Sequence, residues 1–124
     1  ALRIPGYVRG AADLRFEYRV PDATCNPYLA IAGILMAGLS GLEKNINPGP
    51  LIVDVPSEYD ERFPTLPRDF SEALSSLRKD SGFLTSSGVF PEEVIEKWIE
   101  TKEKEIAEIS SYPTPAEFVK YFTI

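Results

Sequence analysis

The chain contains no histidine and a single cysteine. The first absence removes the commonest general base and the commonest metal ligand. Any bound metal would sit among carboxylates, a donor set that suits magnesium, manganese or calcium rather than zinc. Cys25, alone, forms no internal disulfide, so a reducing, cytoplasmic interior is the default. It also lacks an imidazole to activate it as a nucleophile. There is no glycine-rich phosphate loop, cysteine cluster, nucleophile elbow or internal repeat. No apolar run reaches the roughly 20 residues that a membrane helix needs. No lysine precedes Lys44.

What is present suits one compact domain: 124 residues, 44% hydrophobic and 26% charged. The net charge of −6 argues against a dedicated nucleic-acid binder. Its distribution is uneven. Residues 1–19 hold Arg3, Arg9, Arg15 and Arg19 against Asp13 and Glu17, a balance of +2, which leaves −8 for the other 105 residues. The early cations are all arginine, whose planar fork matches phosphate or carboxylate. A small basic face on an acidic domain fits an anionic small molecule or a short interface.

Arg15-Phe16-Glu17-Tyr18-Arg19 concentrates that signal. In an extended strand, Arg15, Glu17 and Arg19 point one way, and Leu14, Phe16, Tyr18 and Val20 the other. The apolar set can seat on a core. Two guanidiniums flanking a carboxylate suit a site that holds phosphate, or a carboxylate substrate, together with a metal. On these five residues alone, a solvated face of mutually neutralising charges is the simpler reading.

Residues 2–5 and 13–20 read as strands, and Pro21 ends the second. Asp22 suits the satisfaction of backbone donors in the turn that follows. Asn26 as N-cap and Pro27 at the first helical position start a helix. Its residues Tyr28 to Leu42 carry no charge. Tyr28, Ile31, Leu35, Leu39 and Leu42 form a bulky stripe; Ala30, Gly33, Ala37 and Gly41 form a small one. The pattern predicts a helix buried on several sides, with another backbone close to the small stripe. Residues 47–68, with five prolines, predict a long irregular loop in which Leu51 to Val53 is briefly extended. A helix follows over 69–79 with Phe70, Ala73, Leu74 and Leu77 inward. After a Ser/Gly-rich turn region over 80–88, Pro91 opens the longest helix, to about Ile109. Its stripe is Val94, Ile95, Trp98, Ile99, Ile106 and Ile109. Seven Glu against three Lys between 92 and 108 make a solvated acidic face. Residues 116–122 form a terminal helix with Phe118, Val119 and Phe122 available for docking. The element order predicts an α+β fold, with short antiparallel strands at the N-terminus followed by a mainly helical bundle.

Several segments, in order, resemble the C-terminal part of the glutamine synthetase catalytic domain. They are Leu2-Arg3-Ile4-Pro5, Arg15-Phe16-Glu17-Tyr18-Arg19, Pro21-Asp22, Asn26-Pro27-Tyr28-Leu29-Ala30 and Ala37-Gly38-Leu39-Ser40-Gly41-Leu42. Leu66-Pro67, the Lys102/Glu105 region and Pro115-Ala116-Glu117-Phe118 follow. The resemblance implies a ligase that makes glutamine from glutamate, ammonia and ATP through γ-glutamyl phosphate. It implies that Glu17 binds a divalent cation, Mg²⁺ or Mn²⁺, near the transferred phosphate. By the same likeness Arg19 contacts the glutamate substrate and the transferring phosphoryl group as a catalytic residue. Arg3 and Arg15 face the ATP phosphates. It implies a homo-oligomeric ring, a dodecamer, with each active site built between subunits, and further ligands upstream of this segment. The expectation is therefore a single partial domain over 1–124, excised from a longer protein. Residues 1–25 supply active-site strands, 26–124 the helical portion, and the isolated chain is inactive. The sequence departs from the family pattern at Ala11, Ala12 and Asp13, where a basic residue often stands. Tyr59 falls in the region where some members carry a regulatory tyrosine, in unlike surroundings.

Two alternatives stand beside this reading. One is a related ligase that joins glutamate to another amine or a polyamine. The other is a non-enzymatic helical interaction domain whose Arg15/Glu17/Arg19 face docks a partner.

Overall fold

A computed structural model of the chain describes residues 2–6, 9–50, 52 and 64–122. Leu51, Val53 and Tyr59, singled out above, lie outside them. The chain divides into two compact units, Ala1–Glu43 and Lys44–Ile124.

In the first unit, β1 (Leu2–Arg3) pairs antiparallel with β2 (Glu17–Tyr18). Leu2 stands opposite Tyr18 and Arg3 opposite Glu17. The antiparallel pair is as expected, but the ladder is shorter than the strands read from residues 2–5 and 13–20. Ala11–Asp13 curls into a 3₁₀ turn, with Asp13 N donating to Gly10 O at 3.0 Å. The alternating apolar residues do not seat on a core in this chain. Leu14, Phe16, Tyr18 and Val20 are all exposed. Two strands alone offer no second layer to receive them.

Helix α1 (Pro27–Glu43) starts where the cap residue demands. Asn26 Oδ1 accepts from Tyr28 N at 3.0 Å and Leu29 N at 3.3 Å. These bonds satisfy amides that have no partner within the helix. Asn45, at φ 50°, takes the left-handed conformation that closes the other end. The expectation of burial on several sides is not met. Met36 and Ser40 are buried, yet the bulky stripe from Tyr28 to Leu42 is 51–83% exposed. A Cβ placed on Gly41 would meet nothing within 4 Å, so among the described residues no backbone packs close to it. The uncharged stretch from Tyr28 to Leu42 signals a need for cover; the described residues meet it only in part.

The second unit has its own core of Leu74, Leu84, Ile95 and Ile99. Helix α2 (Phe70–Lys79) is capped by Asp69, whose carboxylate accepts from Glu72 N at 2.8 Å. Glu72 Oε2 in turn accepts from Arg68 N at 2.8 Å. Leu74 is buried, and Ala73 and Leu77 are half-buried, as expected. Phe70 is not inward but half exposed, since it opens the helix beyond the packed turns. Helix α3 (Gly82–Thr85) is one turn inside the stretch read as turn alone, and it buries Leu84. Helix α4 (Glu92–Ser110) packs against α2. Ile99 is fully buried, while Val94 and Ile109, at either end of the stripe, are exposed. Arg78 spans the two helices with a two-pronged bond to Glu103, Nη1 to Oε1 at 2.9 Å and Nη2 to Oε2 at 3.2 Å. Helix α5 (Pro115–Tyr121) begins with a capping box between Thr114 and Glu117. Phe118 and Phe122 stack at 5.0 Å and remain exposed.

Candidate functional site

The two-stranded ladder brings three charged side chains together. Arg3 lies directly across from Glu17. Its Nη1 donates to Glu17 Oε1 at 3.3 Å and to Oε2 at 3.2 Å. Arg19 sits two residues along the same extended stretch, so it emerges on the same side as Glu17. Its Nε donates to Oε2 at 3.2 Å and its Nη2 at 2.7 Å. The carboxylate is thus clasped from its own strand and from the opposite one. Its side chain is 32% exposed, against 49% for Arg3 and 61% for Arg19.

The bonds from Arg19, and then those from Arg3, hold the Glu17 carboxyl below its ordinary value. Glu17 is therefore a permanent anion near neutrality, and the cluster carries one net positive charge. Two guanidinium forks and one hard oxygen ligand on one open face suit phosphate groups.

The clasp differs from the trio read along the strand. Arg3 takes a place beside the carboxylate that spacing within residues 15–19 cannot reveal, because the contact runs across the ladder. The usable signal was the pair of short strands, the first with Arg3 and the second with Arg15 and Arg19, joined by a glycine-punctuated loop. Arg15 is exposed, two residues before Glu17.

The residues fit a divalent cation in one limited sense. Glu17 offers an ionised carboxylate, the donor that magnesium and manganese prefer. Such ions take about six oxygens or more. Among the described residues no group of three or more His, Cys, Asp or Glu could hold a metal ion.

Other singled-out residues have local work. Asp22 Oδ1 accepts from Thr24 N at 2.7 Å and from Thr24 Oγ1 at 2.5 Å, so it shapes the turn as expected. Exposed Cys25 closes that turn, its N donating to Asp22 O at 3.1 Å. In the second unit a shallow groove of about 350 Å³ is lined by Leu66, Pro67, Glu72, Ser76 and Lys79, among others. Its polar atoms are partly engaged in the helix, since Ser76 Oγ donates to Glu72 O at 2.9 Å. Among the described residues no helix is long and apolar enough to cross a membrane.

Comparison with known proteins is consistent along the whole chain. The family described as "Glutamine synthetase, catalytic domain" matches residues 1–121. A glutamine synthetase of Aquifex aeolicus is 47% identical over 128 residues, covering 100% of this chain and 27% of that protein. Those of Methylococcus capsulatus and Neisseria gonorrhoeae are 38% and 40% identical, again over 100% of this chain and 27% of each protein. The chain spans about a quarter of the length of these relatives.

Proposed function

The chain belongs to the glutamine synthetase catalytic-domain family, and from that premise we propose that it supplies one wall of an ATP-dependent ligase site. The reaction joins glutamate and ammonia. The γ-phosphoryl group of ATP passes to the glutamate side-chain carboxylate, ADP leaves, and γ-glutamyl phosphate results. The ammonia nitrogen then attacks the activated carbonyl, inorganic phosphate departs, and the nitrogen loses a proton.

The observation that carries this reading is the clasp of Glu17 by Arg3 and Arg19. Phosphoryl transfer gains most from positioning and from stabilising charge spread over the phosphoryl oxygens. Arg19 grips the glutamate substrate and the moving phosphoryl group. Arg3 and Arg15 neutralise the nucleotide phosphates. Glu17 would offer its carboxylate to an Mg²⁺ or Mn²⁺ ion. Such an ion, when bound, withdraws charge from the transferring group and fixes its geometry.

The remaining ligands, the ammonia site and most of the nucleotide pocket belong to residues outside this chain. The whole protein is a cytoplasmic homo-oligomeric ring, a dodecamer, with sites completed between subunits.

The test has two arms. The purified 124-residue chain makes no glutamine. In the longer protein that carries it, Arg19→Ala lowers turnover by about 10²–10³-fold, the scale for loss of one charge-stabilising donor. A coupled ATP-hydrolysis assay with ammonia and with polyamines identifies the acceptor. Preference for a polyamine would overturn the glutamine assignment, and an undiminished Arg19→Ala variant would overturn the site.

A further inference from the structure

We propose that Asp22 is a positioning residue for Arg19: the turn that Asp22 closes fixes how the strand end carrying Arg19 meets helix α1. The proposal rests on the reading of Arg19 as the residue that grips glutamate and the moving phosphoryl group.

Only Val20 and Pro21 separate Arg19 from Asp22. The proline ring holds its own φ near about −65° and pushes the residue before it into an extended conformation. The two residues therefore form a stiff strut, and a rotation at residue 22 reaches residue 19 almost undamped. Asp22 holds the next stretch from both its side chain and its main chain. Its Oδ1 accepts from Thr24 N at 2.7 Å and from Thr24 Oγ1 at 2.5 Å. Its carbonyl oxygen accepts from Cys25 N at 3.1 Å. Asn26, the next residue, caps α1. Strand, strut, turn and helix thus follow one another without a slack linker.

Packing does little to place this strand end. The ladder spans two residues on each strand. Leu14, Phe16 and Tyr18 beside it are exposed. The bond from Arg19 Nη2 to Glu17 at 2.7 Å aims the fork, but the turn sets where the backbone of Arg19 lies. What the turn needs from Asp22 is an acceptor oxygen rather than a charge. The bonds from Thr24, its hydroxyl first and then its N–H, hold the Asp22 carboxyl below its ordinary value. An asparagine offers the same Oδ1 acceptor.

The experiment compares Asp22→Ala, Asp22→Asn, Arg19→Ala and the double variant Arg19→Ala/Asp22→Ala in the longer protein that carries this chain. Asp22→Ala is expected to lower kcat by roughly tenfold, within the about 100-fold that a misplacement of about 1 Å can cost. It is expected to raise KM for glutamate and leave KM for ammonia unchanged. Loss of folded protein alone would lower kcat and move no KM. Asp22→Asn restores native values. In the double variant the Asp22 change adds nothing to the loss caused by Arg19→Ala, since a residue that acts through Arg19 has nothing left to position. Additive losses, a native-like Asp22→Ala, or an Asp22→Asn variant as impaired as Asp22→Ala would each overturn the proposal while the assignment of Arg19 stands. An undiminished Arg19→Ala variant would overturn that assignment and the proposal with it.

Discussion

Arg78 and Glu103 show what a single well-shaped ion pair does in this chain. Two parallel bonds tie α2 to α4 across 25 positions of sequence. The Arg78 fork favours the ionised carboxylate and holds the Glu103 pKa below its ordinary value of 4.5. The sign is that of a depressed acid. The pair adds stability above pH 4.5, and the gain is lost as pH falls through the folded value. Both partners are about half exposed, so the effect is small and sensitive to salt. Thermal melts of native chain and Glu103→Gln are expected to diverge slightly at neutral pH and converge in acid. A constant gap across that range would contradict the assignment.

The elements differ in how much of their stability they carry themselves. Helix α4 places Ile99 at 0% exposure, the centre of the second unit's core. Ile99→Ala removes three buried carbons and leaves a void, at a cost of about 2–5 kcal/mol. Urea titration followed by circular dichroism is expected to show that loss, whereas Ile109→Ala, at an exposed end, changes little. The same contrast explains what the sequence made legible. Local chemistry was readable: Asn26-Pro27 opens α1, a helix runs to Lys79, and the alternation around Glu17 puts Arg19 beside it. The one-turn helix α3 was hidden, because Ser- and Gly-rich residues give no periodic signal over four positions. The fate of Phe16, Phe70 and the bulky face of α1 was hidden for a different reason. Periodicity records which side of an element needs cover; it does not reveal whether the same chain provides it. Nor did spacing within one strand show Arg3 reaching Glu17, a contact set by the hairpin register.

For the molecule as a whole, the exposed stripes are a liability. Leu14 and Phe16 on the first unit, with Ile31, Leu35 and Leu39 along α1, place large apolar area in water. The purified chain is expected to associate in sedimentation experiments, more so at higher concentration. Leu35→Glu with Leu39→Glu should suppress the association while preserving the helical signal. A monodisperse native chain would show that these faces are quiet. The two compact units also carry unequal cores. Among the described residues, four large side chains are buried in the second, against Met36 and Pro5 as the apolar pieces of the first. Protection against deuterium uptake should follow that inequality. Amides in the middle of α4 would stay protonated long after those of α1 have exchanged, so the segment bearing the charged clasp is the looser half of the chain on its own.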